Sequence, residues 1–151
     1  MRPSEVSAFL DDMIGSHVPI ALIGEPGVGK SALILQAAQR RYKTVVKWPD
    51  DAVIIDGERQ PRDGQPYNFI DFNPNLRDPV EGLGCPKITD GWTQWAPPAF
   101  LRDLAPEGML LIDEMSQAEP PMQKFCARIC WERMFGDRRI TDGWDIVATG
   151  N

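Results

Sequence analysis

"GEPGVGKS", Gly24 to Ser31, lies between the apolar run "VPIALIG" (18–24) and the breaker-free stretch "KSALILQAAQRR" (30–41). This order of strand, glycine loop and helix decides the fold class. It fits G-x-x-x-x-G-K-[ST], a loop whose main-chain N–H groups converge on a phosphate. Gly24, Gly27 and Gly29 are expected to let the chain turn tightly enough for that. The following helix aims its positive end at the same anion. Lys30 adds a mobile point charge for the terminal phosphates, and Ser31 a hydroxyl for Mg²⁺. The candidate nucleotide-binding residues are therefore Gly24, Glu25, Pro26, Gly27, Val28, Gly29, Lys30 and Ser31.

Moving outward, Val6, Phe9, Leu10, Met13 and Ile14 recur at helical spacing before Gly15. Beyond the loop, "TVVKW" (44–48) and "AVIID" (52–56) suggest a hairpin around "PDD", followed by a polar turn region "GERQPRDG" (57–64). "YNFIDF" (67–72) and "GMLLIDE" (108–114) contain further core strands. Asn73 to Pro98 is rich in Pro, Gly, Asn and Asp, the mark of a functional loop or a structured insertion. The prolines of "PPAFLRDL" (97–104) suit a helix's first turn. "PPMQKFCARICWERM" (120–134) places Met122, Phe125, Cys126, Ile129 and Cys130 on one helical face. "RMFGDRRI" (133–140) predicts a hairpin turning at Gly136-Asp137, and "WDIVAT" (144–149) a last strand. Strands alternating with helices indicate an α/β domain around a mainly parallel, buried sheet.

Two further stretches carry chemistry. "MLLIDEMSQAEPP" (109–121) delivers Asp113 and Glu114 at a strand's C-terminal end, where the ligand crevice of an open α/β sheet lies. Asp113 suits Mg²⁺, and Glu114 suits polarisation of an attacking water. Taken alone, such a pair is as readily a solvated strand end or a helix cap. "WDIVATGN" (144–151) ends on Asn151, which alone reads as a turn-forming asparagine after glycine. If its strand lies beside "IALIG", the Asn151 amide can donate to a γ-phosphate and accept from water. The order glycine loop, acidic pair, strand-end asparagine favours that reading.

Composition narrows the classes. The 151 residues suffice for one domain, with 42% hydrophobic and 25% charged residues. The net charge of -6 argues against a broad nucleic-acid surface, so nucleic acid is not indicated. No apolar run spans a membrane, and the acidic amphipathic start lacks the apolar core of a secretory signal. Cys85, Cys126 and Cys130 are expected as small buried thiols in a reducing cytosol. His17 is the only histidine, which leaves little room for histidine-based catalysis.

"GEPGVGKS", "LLIDEMSQAEPPMQ" and "WDIVATGN" resemble the Walker A, Walker B and sensor 1 motifs of AAA+ ATPases, most closely the MoxR-like and dynein-related branch. "RDPVEGLGCPKITDGWTQWAPPAFL" (77–101) resembles the hairpin inserted in that branch's second helical unit. "ERMFGDRRITDG" (132–143) is similar to the hairpin preceding sensor 1. Residues 42–66 depart from the pattern by inserting chain before the second strand. The resemblance implies a P-loop NTPase sheet flanked by helices with hairpin insertions, holding ATP and Mg²⁺ as ligands. It implies triphosphate on Gly24 to Ser31, Mg²⁺ on Ser31 and Asp113, and catalysis by Glu114, Asn151 and Lys30. Members usually form hexameric rings, in which a neighbour's arginine completes the site. That arginine, the helical lid and the strand covering the far edge of "IALIG" normally follow sensor 1. The expectation is thus a partial AAA+ domain over residues 1–151, without its final strand and lid. Arg128, Arg133, Arg138 and Arg139 are candidates to face a neighbour, or to be solvated or paired with carboxylates.

The expected function is Mg²⁺-dependent ATP hydrolysis in the cytoplasm, driving remodelling of a protein client. The alternatives are a nucleotide-dependent binding or regulatory subunit with little hydrolysis, and a P-loop phosphotransferase. Glu114 directly after Asp113 suits water activation better than phosphotransfer.

Overall fold

Runs such as Met109–Ile112 are apolar at every position, so such a strand is stable only with both faces covered. The computed structural model, describing residues 1–151, covers them with two helical layers. The chain forms α1 (Pro3–Met13), β1 (Ile20–Ile23), α2 (Lys30–Tyr42), β2 (Thr44–Trp48), β3 (Ala52–Ile55), β4 (Glu58–Pro61) and β5 (Tyr67–Phe72). There follow α3 (Pro79–Leu83), β6 (Cys85–Thr89), β7 (Trp92–Ala96), β8 (Leu104–Ile112), α4 (Pro120–Glu132), β9 (Met134–Phe135), β10 (Arg138–Arg139) and β11 (Trp144–Gly150). Seven strands make one sheet in the order β1-β11-β8-β5-β2-β3-β4. β1, β11, β8, β5 and β2 run parallel, whereas β3 and β4 extend the sheet antiparallel. The architecture is α/β with a mostly parallel central sheet.

Side chains along β8 alternate between two cores. Met109 and Leu111 join Leu10, Ile34, Ala37 and Ala38 of α1 and α2. Leu110 and Ile112 join Met122, Phe125, Cys126 and Ile129 of α4. Burying each of the Leu, Ile, Met and Phe side chains among them stabilises by about 1.5–3 kcal/mol. The α4 layer includes the β9/β10 hairpin, whose Phe135 sets its ring edge-on to Phe72, Phe100 and Phe125 at 5.2–5.4 Å.

β5 breaks the alternation: Tyr67 and Ile70 enter one core and Phe69 the other. The β5–β8 register shifts between Tyr67 and Phe69, which allows this change of phase. Asn68 then replaces ladder bonds with its own amide. Its Oδ1 accepts the Val46 N–H at 2.7 Å, and its Nδ2 donates to the Thr44 carbonyl at 2.8 Å. Opposite lies Gly108, where an added Cβ would meet the Asn68 carbonyl and the Trp144 ring at 2.7 Å. Gly108→Ala is expected to cost about 1–3 kcal/mol through overpacking. Urea unfolding should show an earlier midpoint with unchanged slope; an unshifted midpoint would contradict the close approach.

Several sequence expectations need correction. "GERQPRDG" is not a turn throughout: the chain turns at Asp56-Gly57, with positive φ of 50° and 81°, and Glu58–Pro61 form the exposed edge strand β4 before Gly64 takes positive φ again. Pro61 is tolerated there because an outer edge needs no donor. "PPAFLRDL" forms only a 3-10 turn, Ala99–Asp103. Of the two readings of Asn73–Pro98, the structured insertion is the one found, with β6 and β7 paired across an Asp90-Gly91 turn of positive φ. Ile88 and Trp92 on this hairpin are exposed, as is Ile23 on β1, whose only strand partner is β11. No helix is long and apolar enough to cross a membrane.

The three thiols are not alike. Cys126 is buried in the α4 core, and burial pushes its thiol up to about 12. Burial raises Cys130 as well, but Cys85 is exposed, against expectation. Because the thiolate is the nucleophile, iodoacetamide near pH 8 should label Cys85 first and leave Cys126 unlabelled until unfolding. Peptide mapping by mass spectrometry checks that order.

Candidate functional site

Three parallel strands end side by side at the β1 edge of the sheet, so the residues after them meet. β1 leads into the glycine loop, β8 into Asp113, and β11 into Asn151. The Gly24 N–H donates to the Gly150 carbonyl at 3.1 Å, and the Asp113 N–H to the Phe72 carbonyl at 2.9 Å. These main-chain bonds hold the loop starts in register.

Within the loop, Gly27 and Gly29 adopt positive φ of 80° and 82°, with open space where a Cβ would stand. Gly24 does not, so the conformational demand falls on two of the three expected glycines. Gly29 hands over directly to α2 at Lys30. The N–H groups of Gly27 through Ala32 donate to no protein acceptor, as expected of a helix start and the loop before it. Six consecutive free donors at a helix N-terminus suit an anion.

The side chains converge on the same point. The Ser31 hydroxyl donates to Asp113 Oδ1 at 2.7 Å across 82 residues of sequence. Lys30 Nζ donates to the Gly24 and Glu25 carbonyls at 2.8 and 2.9 Å and to Asn151 Oδ1 at 3.2 Å. A cleft of about 220 Å³ lies between them, lined by Pro26, Gly27, Gly29, Lys30, Ser31, Asp113, Glu114 and Asn151 together with Ala32. A larger cleft of about 850 Å³ opens beside it, shared through Lys30. There Gly24, Glu25 and Val28 join apolar side chains of α1 and β1, among them Val6, Phe9 and Ile23. The expected loop residues thus divide between a polar cleft and an apolar one.

The donor set is suited to a phosphate with a hard divalent cation. One ammonium and six N–H groups without a protein acceptor are donors an anion can use, and a hydroxyl and a carboxylate in contact are the oxygen ligands such a cation takes. No cluster of three or more His, Cys, Asp or Glu side chains offers a metal site built from protein ligands alone.

Glu114 sits at φ 56°, ψ 38°, a left-handed conformation uncommon for a residue with a side chain. Both its main-chain groups are engaged: the N–H donates to Thr149 Oγ1 at 2.8 Å, and the carbonyl accepts Asn75 Nδ2 at 3.1 Å. Strain of this kind persists where surrounding contacts impose it. Thr149, Asn75 and Ser116, whose Oγ accepts the Asn151 N–H at 2.9 Å, were absent from the sequence-derived site. Thr149 carried one signal: a polar residue in an apolar strand, two positions before Asn151 and hence on the same face.

Of the four arginines that are candidates to face a neighbour, three have partners within the chain. Arg128 pairs with Glu132 at 2.7 Å and Arg139 with Asp142 at 3.3 Å. Arg133 donates to the carbonyls of His17, Thr141 and Trp144. Arg138 is exposed and forms no ion pair. Compared with known proteins, the chain matches no family model and no curated relative.

Proposed function

We propose that the protein binds ATP with Mg²⁺ and hydrolyses its terminal phosphoanhydride, as a module of the AAA+ type. The observation that carries this reading is the Ser31–Asp113 hydrogen bond, formed beside the Lys30–Asn151 contact. It joins three stretches, distant in sequence, whose chemistry is complementary to one ligand. The free N–H groups of the loop and Lys30 would hold the β- and γ-phosphates. The apolar cleft beside Gly24 and Val28 offers room for the nucleoside. Ser31 and Asp113 would hold Mg²⁺, which when bound supplies positive charge against the phosphate oxygens. Glu114, lining the polar cleft, would accept a proton from the attacking water, and Asn151 would orient that water or the γ-phosphate.

The MoxR-like resemblance extends this reading to a ring assembly that remodels a protein client. The hairpins β6/β7 and β9/β10 support it, because they occupy the two places where that branch carries insertions. The experiment is Mg²⁺-dependent turnover of ATP and GTP, measured together with mass in solution across protein concentration. Turnover that rises with assembly is expected. Tight nucleotide binding without turnover in the assembled protein would favour a binding or regulatory subunit, and absence of binding would overturn the reading.

A further inference from the structure

β11 is apolar from Ile146 to Ala148, and its next residue, Thr149, is only 1% exposed. Thr149 and Asp145 are the two buried polar side chains of the molecule. Asp145 has a structural partner, accepting the Gly15 N–H with both oxygens at 3.0 Å. Thr149 instead bridges the two acidic residues of the site. Its hydroxyl donates to Asp113 Oδ1 at 2.6 Å and accepts the Glu114 N–H at 2.8 Å. The direction of these bonds is forced. An amide N–H can only donate, so the hydroxyl's single proton is left for the carboxylate.

We propose that Thr149 is a positioning residue that presents Asp113 to the divalent cation and fixes the Glu114 turn. Asp113 Oδ1 accepts from both Thr149 and Ser31, which fixes the carboxylate's rotation beside the Ser31 hydroxyl. The same Thr149 oxygen engages the main chain of Glu114 at the residue forced into positive φ. Ser116 closes the arrangement from the other side by accepting the Asn151 N–H. Two hydroxyls exchanged between the Asp113–Ser116 turn and the end of β11 thus make the acidic pair and Asn151 one rigid unit. A partner behind a metal-binding carboxylate is worth a large factor in cation affinity although it never touches the cation. The inference rests on the ATP reading and assigns within it the residue on which cation coupling depends.

The test compares Thr149→Val, which keeps the shape and removes the hydroxyl, with Thr149→Ser, which keeps the hydroxyl and removes the methyl. A fluorescent ATP analogue is titrated first in EDTA and then at increasing Mg²⁺, with folding checked by circular dichroism. In EDTA, Thr149→Val should bind within about twofold of wild type, because the glycine loop is untouched. Its Mg²⁺ midpoint should rise by about 10-fold or more, and Thr149→Ser should restore it. A role in packing alone would instead weaken binding equally with and without Mg²⁺ and leave serine as defective as valine. A valine variant with the wild-type midpoint, or a serine variant without it, overturns the inference while leaving ATP binding in place. Should the valine variant fail to fold, Thr149→Ala carries the same expectation. Failure of the wild type to bind the analogue at all would overturn the ATP reading with it.

Discussion

Lys30→Ala is expected to lower ATP affinity by on the order of 10²-fold, since hydrogen bonds from a charged group contribute about 1.5–3 kcal/mol each and Lys30 would make at least one to the phosphates. Lys30 Nζ donates to the half-buried Gly24 carbonyl, to the exposed Glu25 carbonyl and to Asn151. Neither residue is fully buried, so removing the ammonium leaves no fully buried acceptor unpaired. The variant should therefore melt within a degree or two of wild type, with a shift of about 0.5 kcal/mol or less. Loss of binding with retained stability separates a ligand role from a structural one. Isothermal titration with ATP and Mg²⁺ measures the first quantity and a thermal melt the second. Wild-type affinity in Lys30→Ala would refute the phosphate cradle.

Glu114→Gln should have the opposite signature: ATP bound as well as by wild type, but turnover slower by about 10²–10⁴-fold, the usual contribution of a positioned general base. The turn at Glu114 is held by its main-chain atoms, the N–H donating to Thr149 and the carbonyl accepting from Asn75 and the Gln117 N–H. An amide of the same shape therefore removes only the basic oxygen, and the strained backbone stays in place. Single-turnover chemistry measured with saturating ATP isolates that step from binding and release. An unchanged rate would remove Glu114 as the base and direct attention to Asn151 and the water it can orient.

Much of this site was legible in sequence because its elements are local. A glycine loop between an apolar run and a helix specifies its own conformation, through Gly27 and Gly29 at positive φ. Strand ends announce themselves where apolar residues stop, as at Ile112–Asp113 and Gly150–Asn151. The hairpin at Asp90-Gly91 is equally local, set by two residues that tolerate positive φ. Reading failed where a segment's state depends on a distant neighbour. Glu58–Pro61 has the composition of a turn and becomes a strand only because β3 offers it an open edge. The phase change at Asn68 is invisible until β8 and β2 lie on either side of it.

The sequence by itself determined that a glycine loop joins a strand to a helix, which carboxylates follow a buried strand, and that the sheet must be covered on both faces. Those properties follow from backbone preference and from the periodicity of apolar residues along short stretches. Only the tertiary structure decided that the glycine loop, Asp113 and Asn151 meet at one point, because strand order is set by packing across the whole sheet. It also decided the role of Thr149. A threonine hydroxyl has no preferred partner until folding brings a carboxylate to 2.6 Å and an amide to 2.8 Å, and burial then leaves it no other.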